Sequence, residues 1–264
     1  MQKNSGRGVA LITGGGTGVG AATARMLAKR GFAVAVNYSR SADAAEATAE
    51  ACRQSGADAL AIRGDVSSDA DCRSMVATVI EKWGGLDLLV NNAGATQMTK
   101  FSNLDLQNGE DLMRVYSVNV VGAYQMGRAA APHLKQSGRG SIVNVSSIAG
   151  QTGSGSSIAY VLSKGALNTL TLTFARLMAP AVRVNAVLPG MIDTAWFTGN
   201  GVEEGAFETM KQRFRDASAL GAVSTAKDIA DAIVYVGVDA TRMTGQFLTI
   251  DAGFLLGKPP QPSR

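Results

Sequence analysis

The chain has 264 residues, 46% of them hydrophobic and 17% charged, with a formal net charge of +4. That ratio excludes an intrinsically disordered chain, and the length suits one large α/β domain or two small ones. Lys and Arg are scattered among Asp and Glu, which argues against a nucleic-acid footprint, and no apolar run approaches the 18 residues of a membrane span.

In chain order, Val9 to Thr13 is a short apolar run of buried-strand type, followed by glycines and a helical pattern to about Arg30 that Gly31 ends. Ala33 to Tyr38 reads as the second strand and Ala42 to Ser55 as the second helix. The third strand ends near Asp65, and a helix follows with Met75, Val76, Val79, Ile80 and Trp83 on one face. LDLLVNNAG carries the fourth strand, a long helix is expected from about Asp111 to Lys135, and SIVNVSS is the fifth strand. Another helix runs from about Ser157 to Met178, then VRVNAVLPG gives strand six. Ala226 to Val238 reads as helix and QFLTID as strand seven. Solid apolar strands alternating with helices predict an α/β, doubly wound (Rossmann) seven-stranded parallel sheet covered on both faces. One domain over residues 1–257 is expected, with a loose tail at 258–264. The polar start, MQKNSGRG, runs directly into a strand and leaves no room for a signal peptide, so a cytoplasmic location is expected. Cys52 and Cys72 form no CxxC pair, and His133 is the single histidine, so no metal site is expected and both cysteines read as buried bystanders.

In a sheet of this kind the ligand site lies at the carboxyl ends of the strands, where strand order reverses. The first strand leads into Thr13-Gly14-Gly15-Gly16-Thr17-Gly18-Val19-Gly20 and then a helix. So tight a turn needs residues that accept positive φ, and the helix start offers free N–H groups to a pyrophosphate. A glycine string alone also fits a flexible linker; its place between strand and helix favours nucleotide binding. The second strand ends in Asn37-Tyr38-Ser39-Arg40, with no carboxylate before Asp43. An acid there would bond a ribose 2′-OH and repel a 2′-phosphate, whereas Arg40 and Ser39 suit the phosphate. The plainer alternative is a surface Arg at a helix start. Further along, Tyr160 and Lys164 stand four residues apart on one helix face, and Ser147 closes strand five thirteen positions before Tyr160.

With Asp65-Val66, Asn91-Asn92-Ala93-Gly94, Asn119 and Pro189-Gly190, these motifs run in order from about residue 9 to 194, and the chain resembles the short-chain dehydrogenase/reductase family. The resemblance is to its single-domain type, closest in pattern to the 3-oxoacyl-[acyl-carrier-protein] reductases. It implies a TGxxxGxG cofactor loop through Gly14, Thr17, Gly18, Val19 and Gly20. Adenosine contacts are implied at Asn37, Ser39, Arg40, Asp65 and Val66, and nicotinamide contacts at Asn92, Ala93, Gly94, Tyr160, Lys164, Pro189, Gly190, Ile192 and Thr194. The cofactor is expected to be NADP (NADPH) rather than NAD, although many NADP-dependent relatives also carry a Lys or Arg inside the glycine loop, which is lacking here. The implied catalytic set is Asn119, Ser147, Tyr160 and Lys164, with Ser146 structural.

The chemistry explains those residue types. Hydride delivered to a carbonyl carbon leaves alkoxide character on oxygen, so an acid must supply a proton there. A free phenol titrates near about 10, and an ammonium about 4 Å away at an effective dielectric near 20 favours phenolate by up to about 4 kcal/mol, roughly three pKa units before desolvation opposes it. Lys164, helped by the charge of an oxidised nicotinamide, is therefore expected to bring Tyr160 toward the working pH. Ser147 is expected to donate to the substrate oxygen, and Asn119 to hold a relay water.

The expected function is interconversion of a ketone and a secondary alcohol, on a 3-oxoacyl thioester or another carbonyl compound. A NAD-dependent alcohol, sugar or steroid dehydrogenase of the same family is the nearest alternative, and an NADP-binding regulator or scaffold without turnover the alternative from another class. An extended epimerase would need TGxxGxxG and a further domain, and an enoyl reductase a wider Tyr–Lys interval. Residues 191–225, with Trp196, Phe197, Phe207, Met210 and Phe214, read either as a mobile lid or as a packed helix pair. Within that segment Lys211, Arg213 and Arg215 read as solvated charges, or else as a contact for an acidic carrier or anionic substrate. The resemblance also implies a homotetramer or homodimer built on the two long helices, with Gly122, Ala123, Gly127, Gly165 and Ala166 allowing close approach.

Overall fold

The computed structural model describes residues 8–99 and 103–258. The tail expected at 258–264 and the polar start lie, but for Lys258 and Gly8, outside the described residues. Strands β1 (Val9–Ile12), β2 (Ala33–Tyr38), β3 (Ala59–Arg63), β4 (Leu88–Asn91), β5 (Gly140–Val145) and β6 (Val182–Pro189) form the body of the sheet. After the short pieces β7 (Ile192–Asp193) and β8 (Ser224–Thr225), β9 (Phe247–Ile250) completes it. The seven-stranded order is β3-β2-β1-β4-β5-β6-β9, parallel throughout, so chain order reverses between β1 and β4. That reversal opens a crevice at the carboxyl ends of these two strands.

The helices are α1 (Gly18–Lys29), α2 (Ala42–Gln54), α3 (Asp69–Trp83), α4 (Gly109–Tyr116), α5 (Ala123–Gln136), α6 (Ala149–Thr152), α7 (Ile158–Met178), α8 (Glu204–Ala217) and α9 (Ala226–Val234). Alternation along the strands divides the core in two. Val9 and Leu11 of β1 pack with Met75 and Val79 of α3, Met126 of α5 and Phe174 of α7. Ala10 and Ile12 pack with Leu27 of α1, Ala49 of α2 and Ile233 of α9 on the opposite face. Both cysteines are buried, Cys72 donating its thiol to the Val66 carbonyl at 3.2 Å. No described helix is long and apolar enough to cross a membrane.

Local chemistry sets the helix ends that matter for the site. Ser157 caps α7 by accepting from the Tyr160 N–H at 3.1 Å, and Thr225 with Asp228 closes a reciprocal capping box on α9. The Arg183 guanidinium, on β6, donates to the carbonyls of Val236, Gly237 and Ala240 at 2.7–2.9 Å, holding the turn that follows α9. Partial burial lowers its pKa. Arg183→Ala leaves those carbonyls without a charged donor and is expected to cost about 2 kcal/mol, read as a lower midpoint in urea at unchanged slope. An unchanged midpoint would show that water replaces the guanidinium without loss.

Several expectations need correction. The helix expected from Asp111 to Lys135 is interrupted by a π-helical segment at Ser117–Gly122, and the one expected to reach Val238 becomes π-helical at Tyr235–Asp239. Hydrophobic period does not resolve the one residue per turn that separates the two helix types. Strand three stops at Arg63, because Gly64 to Ser68 form the turn into α3. Lys211 is not a solvated charge: it is buried, bonded to Asp193 at 3.1 Å and to Glu208, with its ammonium over the Phe207 ring. Nor are Gly122 and Gly127 kept free for another subunit. A Cβ on Gly127 would lie 2.4 Å from Phe174, and one on Gly122 2.7 Å from Val66, so both serve packing inside the chain.

Candidate active site

The crevice is a cavity of about 530 Å³ running from Arg40 and Arg63 at one end, past the glycine loop, to Gly94, Ala95 and Val118. Gly14 and Gly18 adopt φ of +58° and +52°, the left-handed region that a side chain disfavours. Gly20 is needed for another reason: a Cβ there would sit 2.4 Å from the Gly14 carbonyl oxygen and 2.6 Å from Asn92 Nδ2. Thr17 precedes α1 without capping it through its side chain, so the first N–H groups of the helix stay open toward the loop. These features make a cradle that an added methyl group would fill, and its donors suit a pyrophosphate.

The loop is held from below. Asn92 Nδ2 donates to the carbonyls of Thr13 and Gly14, each at 2.9 Å, and the Thr13 hydroxyl accepts from the Asn92 and Ala93 N–H groups. Asn37 Oδ1 accepts from the Gly14 N–H at 3.2 Å while its Nδ2 donates to the Gly64 carbonyl. Asn37 therefore lines the cavity with its side chain already committed to joining β1, β2 and β3. Ser39, Arg40, Asp65, Val66, Ala93 and Gly94 line the same cavity, and the Thr194 methyl lies 3.8 Å from a Cβ placed on Gly18. Val19 is buried under α1, inside the core rather than on the cavity wall.

Beyond Gly94, Tyr160 and Lys164 lie one turn apart on α7, with the ammonium 5.3 Å from the centre of the phenol ring. Lys164 is 4% exposed, and its Nζ donates to the Val145 carbonyl at 2.9 Å and approaches the position of a Cβ on Gly94. β5 stops at Val145, so Ser147 stands two residues past the strand that it was expected to close, its hydroxyl accepting from the Ala149 N–H at 3.1 Å. Ser146 donates to the Lys164 carbonyl at 3.2 Å, a brace between β5 and α7. Gly150 lets α6 press on α7 at this level, since a Cβ there would meet the Lys164 carbonyl carbon at 2.6 Å. Pro189 ends β6, its carbonyl bonded by the Ile148 N–H, and Gly190 leaves room for Phe214 and Asp251. Ile192 begins β7, which pairs with β8 beside α9.

Asn119 lies in the π-helical segment, 1% exposed. Its Oδ1 accepts from the Ala95 N–H at 2.7 Å, and its Nδ2 donates to the Ala95 carbonyl and to Ser163 Oγ. The side-chain amide is thus occupied in fixing the loop after β4. Trp196 packs its ring 6.5 Å from that of Tyr160 and touches the space above Gly94, a neighbour that its place in the sequence did not reveal. Arg63 and Tyr38 are cavity residues that the sequence reading passed over, because strand pairing brings them together at the end of the sheet.

Electrostatics departs from expectation. Burial pushes the Tyr160 phenol up to about 12, with the Ser147 hydroxyl pulling the other way, and burial pushes the Lys164 ammonium down to about 8. The lowering of Tyr160 by Lys164 does not occur in the chain by itself. Desolvation disfavours the charged form of each group, and it sets the direction of both shifts.

Comparison with known proteins gives four findings. The family model described as short chain dehydrogenase matches residues 8–204. A Streptomyces violaceoruber chain named as ketoacyl reductase 2 of the granaticin polyketide synthase is 42% identical over 245 residues, 93% of this chain and 95% of that one. The 7alpha-hydroxysteroid dehydrogenase of Clostridium sardiniense is 35% identical, with 95% of this chain and 94% of that one covered. Among solved structures, a short-chain dehydrogenase/reductase from Burkholderia xenovorans superposes with a TM-score of 0.88 at 41% identity, covering 96% of this chain and all of the other.

Proposed function

Because the chain belongs to the short-chain dehydrogenase family, and is on that ground an NAD(P)-dependent oxidoreductase, we propose that it interconverts a ketone and a secondary alcohol with NADP(H), Tyr160 serving as general acid and base. The observation that carries the reading is Tyr160 and Lys164 one turn apart on α7, with the Ser147 hydroxyl against the phenol and the Lys164 ammonium 3.9 Å from the position of a Cβ on Gly94, which lines the glycine-walled cavity that also presents Arg40. Gly14, Thr17, Gly18, Val19 and Gly20 would hold the pyrophosphate, with Val19 acting through its backbone. Asp65 and Val66 would hold the adenine, Ser39 and Arg40 the 2′-phosphate, and Asn92 to Gly94 with Pro189, Gly190, Ile192 and Thr194 the nicotinamide end. A bound reduced nicotinamide supplies the hydride.

In reduction, Ser147 donates a hydrogen bond to the substrate oxygen, and Tyr160 gives that oxygen its proton as charge develops. A phenol held near 12 is fully protonated across the neutral range, which suits an acid. Lys164, close to half-protonated near pH 8, passes a proton back to the phenolate from solvent through water held at Asn119. The reverse reaction needs the phenolate, which in this site must come from charge brought by the bound cofactor.

A 3-oxoacyl thioester is the favoured substrate, supported by the 42% identical relative named as a ketoacyl reductase. Residues 191–225 act as the substrate-side cover, with Trp196 forming a wall beside Tyr160. The protein works in the cytoplasm as a homotetramer or homodimer. Apolar side chains exposed on α4, α5 and α7, among them Met113, Tyr116, Tyr124, Leu162 and Leu177, support that assembly. The test is loss of NADPH absorbance with a panel of ketones that includes acetoacetyl thioesters, repeated with NADH. Turnover at least tenfold more efficient with NADPH is expected. Binding of NADPH without its oxidation by any ketone, and without reduction of NADP+ by the matching alcohols, would point to the regulator instead.

A further inference from the structure

We propose that Arg63 is the second arm of a two-guanidinium clamp for the 2′-phosphate of the cofactor, opposite Arg40; this rests on the NADP reading given above. Arg63 is the last residue of β3 and the register partner of Tyr38, the last residue of β2. Along β3, Leu60 and Ile62 pack toward α3, while Ala59 and Ala61 pack toward α2. Arg63 continues the second series, so it projects on the face where Ser39 to Ser41 lead into α2. Arg40 and Arg63 both line the cavity, from different segments of the chain.

Neither guanidinium has an anionic or hydrogen-bonding partner among the described residues; Arg25, Arg176, Arg213, Arg215 and Arg242 share that state, but Arg40 and Arg63 are the arginines that line the cavity. Arg30, Arg53, Arg73, Arg114, Arg128 and Arg139 are all paired with carboxylates. Two carboxylates also line the cavity; both accept hydrogen bonds from neutral groups beside them, and neither is ion-paired with Arg40 or Arg63. Asp65 Oδ1 accepts from the Ser67 N–H at 2.9 Å and its hydroxyl at 2.7 Å, and Asp71 accepts from the Asp65 N–H at 2.8 Å and from Ser68 Oγ. Two cations facing one cavity repel each other until an anion joins them, and a phosphate dianion has enough acceptor oxygens for a forked contact with each. A bare ribose 2′-OH offers neither the charge nor the acceptors. The clamp also explains how this chain manages without a basic residue inside its glycine loop: the second cation comes from the neighbouring strand.

The experiment titrates the purified full chain, by calorimetry, with adenosine 2′,5′-bisphosphate and with 5′-AMP, which read the adenosine end without turnover. For wild type, tighter binding of the bisphosphate is expected. Arg63→Ala should weaken the bisphosphate about tenfold or more, the worth of a charge-assisted contact, and leave 5′-AMP within about twofold. Arg63→Lys should restore part of the loss, since it keeps the charge without the fork. Arg40→Ala alone should retain some preference for the bisphosphate, and the double variant none. If Arg63→Ala binds both probes as wild type does, while Arg40→Ala loses the preference altogether, Arg63 is no part of the site and the NADP reading stands. If wild type binds the two probes equally, the NADP reading fails and the clamp with it.

Discussion

Tyr160→Phe is expected to lower kcat for ketone reduction by about 10²–10⁴-fold, the usual contribution of positioned acid–base catalysis, with NADPH affinity within a few-fold of wild type. The variant removes one hydroxyl and nothing else. Tyr160 is held by the Ser157 cap at its N–H and by the ring of Trp196, and phenylalanine keeps both contacts. The Tyr160 hydroxyl also bonds Ser147, so only a small fall in stability is expected, about a few degrees in the thermal midpoint. The Ser147 hydroxyl remains to polarise the substrate oxygen, so a residual rate above background should persist. Turnover within tenfold of wild type would refute the assignment, whatever the binding data show. Below pH 9 wild-type reduction should show no loss traceable to ionisation of Tyr160 in the free enzyme, because burial keeps the phenol protonated well beyond that point.

Lys164→Met is expected to reduce kcat by about a hundredfold or more by cutting off the return of protons to Tyr160. It also has a signature that an ordinary packing change lacks. The folded chain holds the Lys164 ammonium near 8 against an ordinary 10.5. Between those values the unfolded chain binds more protons than the folded one, so stability contributed at this position rises with pH across that window. Below 8 both states are charged and burial is a cost. Above 10.5 both are neutral and the cost is gone. Each pKa unit corresponds to about 1.4 kcal/mol, so the unfolding free energy of wild type, minus that of the methionine variant, should climb by up to about 3 kcal/mol from pH 8 upward. Urea denaturation at pH 7.5, 8.5, 9.5 and 10.5 checks this. Parallel curves for the two proteins would show that Lys164 is not desolvated in the folded chain.

The fold was legible because its signals are local. Runs such as Val9–Ile12 and Ala33–Tyr38 are apolar at consecutive positions, as a strand covered on both faces must be, and the observed sheet has both faces covered by helices. Boundaries failed where the deciding interaction was not local. No pattern marks the π-helical turn at Asn119, whose geometry depends on bonds to Ala95 and Ser163. Lys211 looked solvated because a sequence gives its charge but not the Asp193 carboxylate, eighteen residues away, that accompanies it into the interior.

The sequence by itself determined the order of the elements, the glycine loop and the one-turn interval between Tyr160 and Lys164, since each follows from backbone geometry over a few residues. Tertiary structure alone decided which side chains share an environment. It spent the Asn37 and Asn119 amides on bracing loops, set Trp196 against Tyr160, and brought Arg63 to the same cavity as Arg40 through strand pairing. It also decided the sign of the Tyr160 shift. The interval between the phenol and the ammonium can be read from the chain, but the desolvation that raises one and lowers the other depends on everything packed around them.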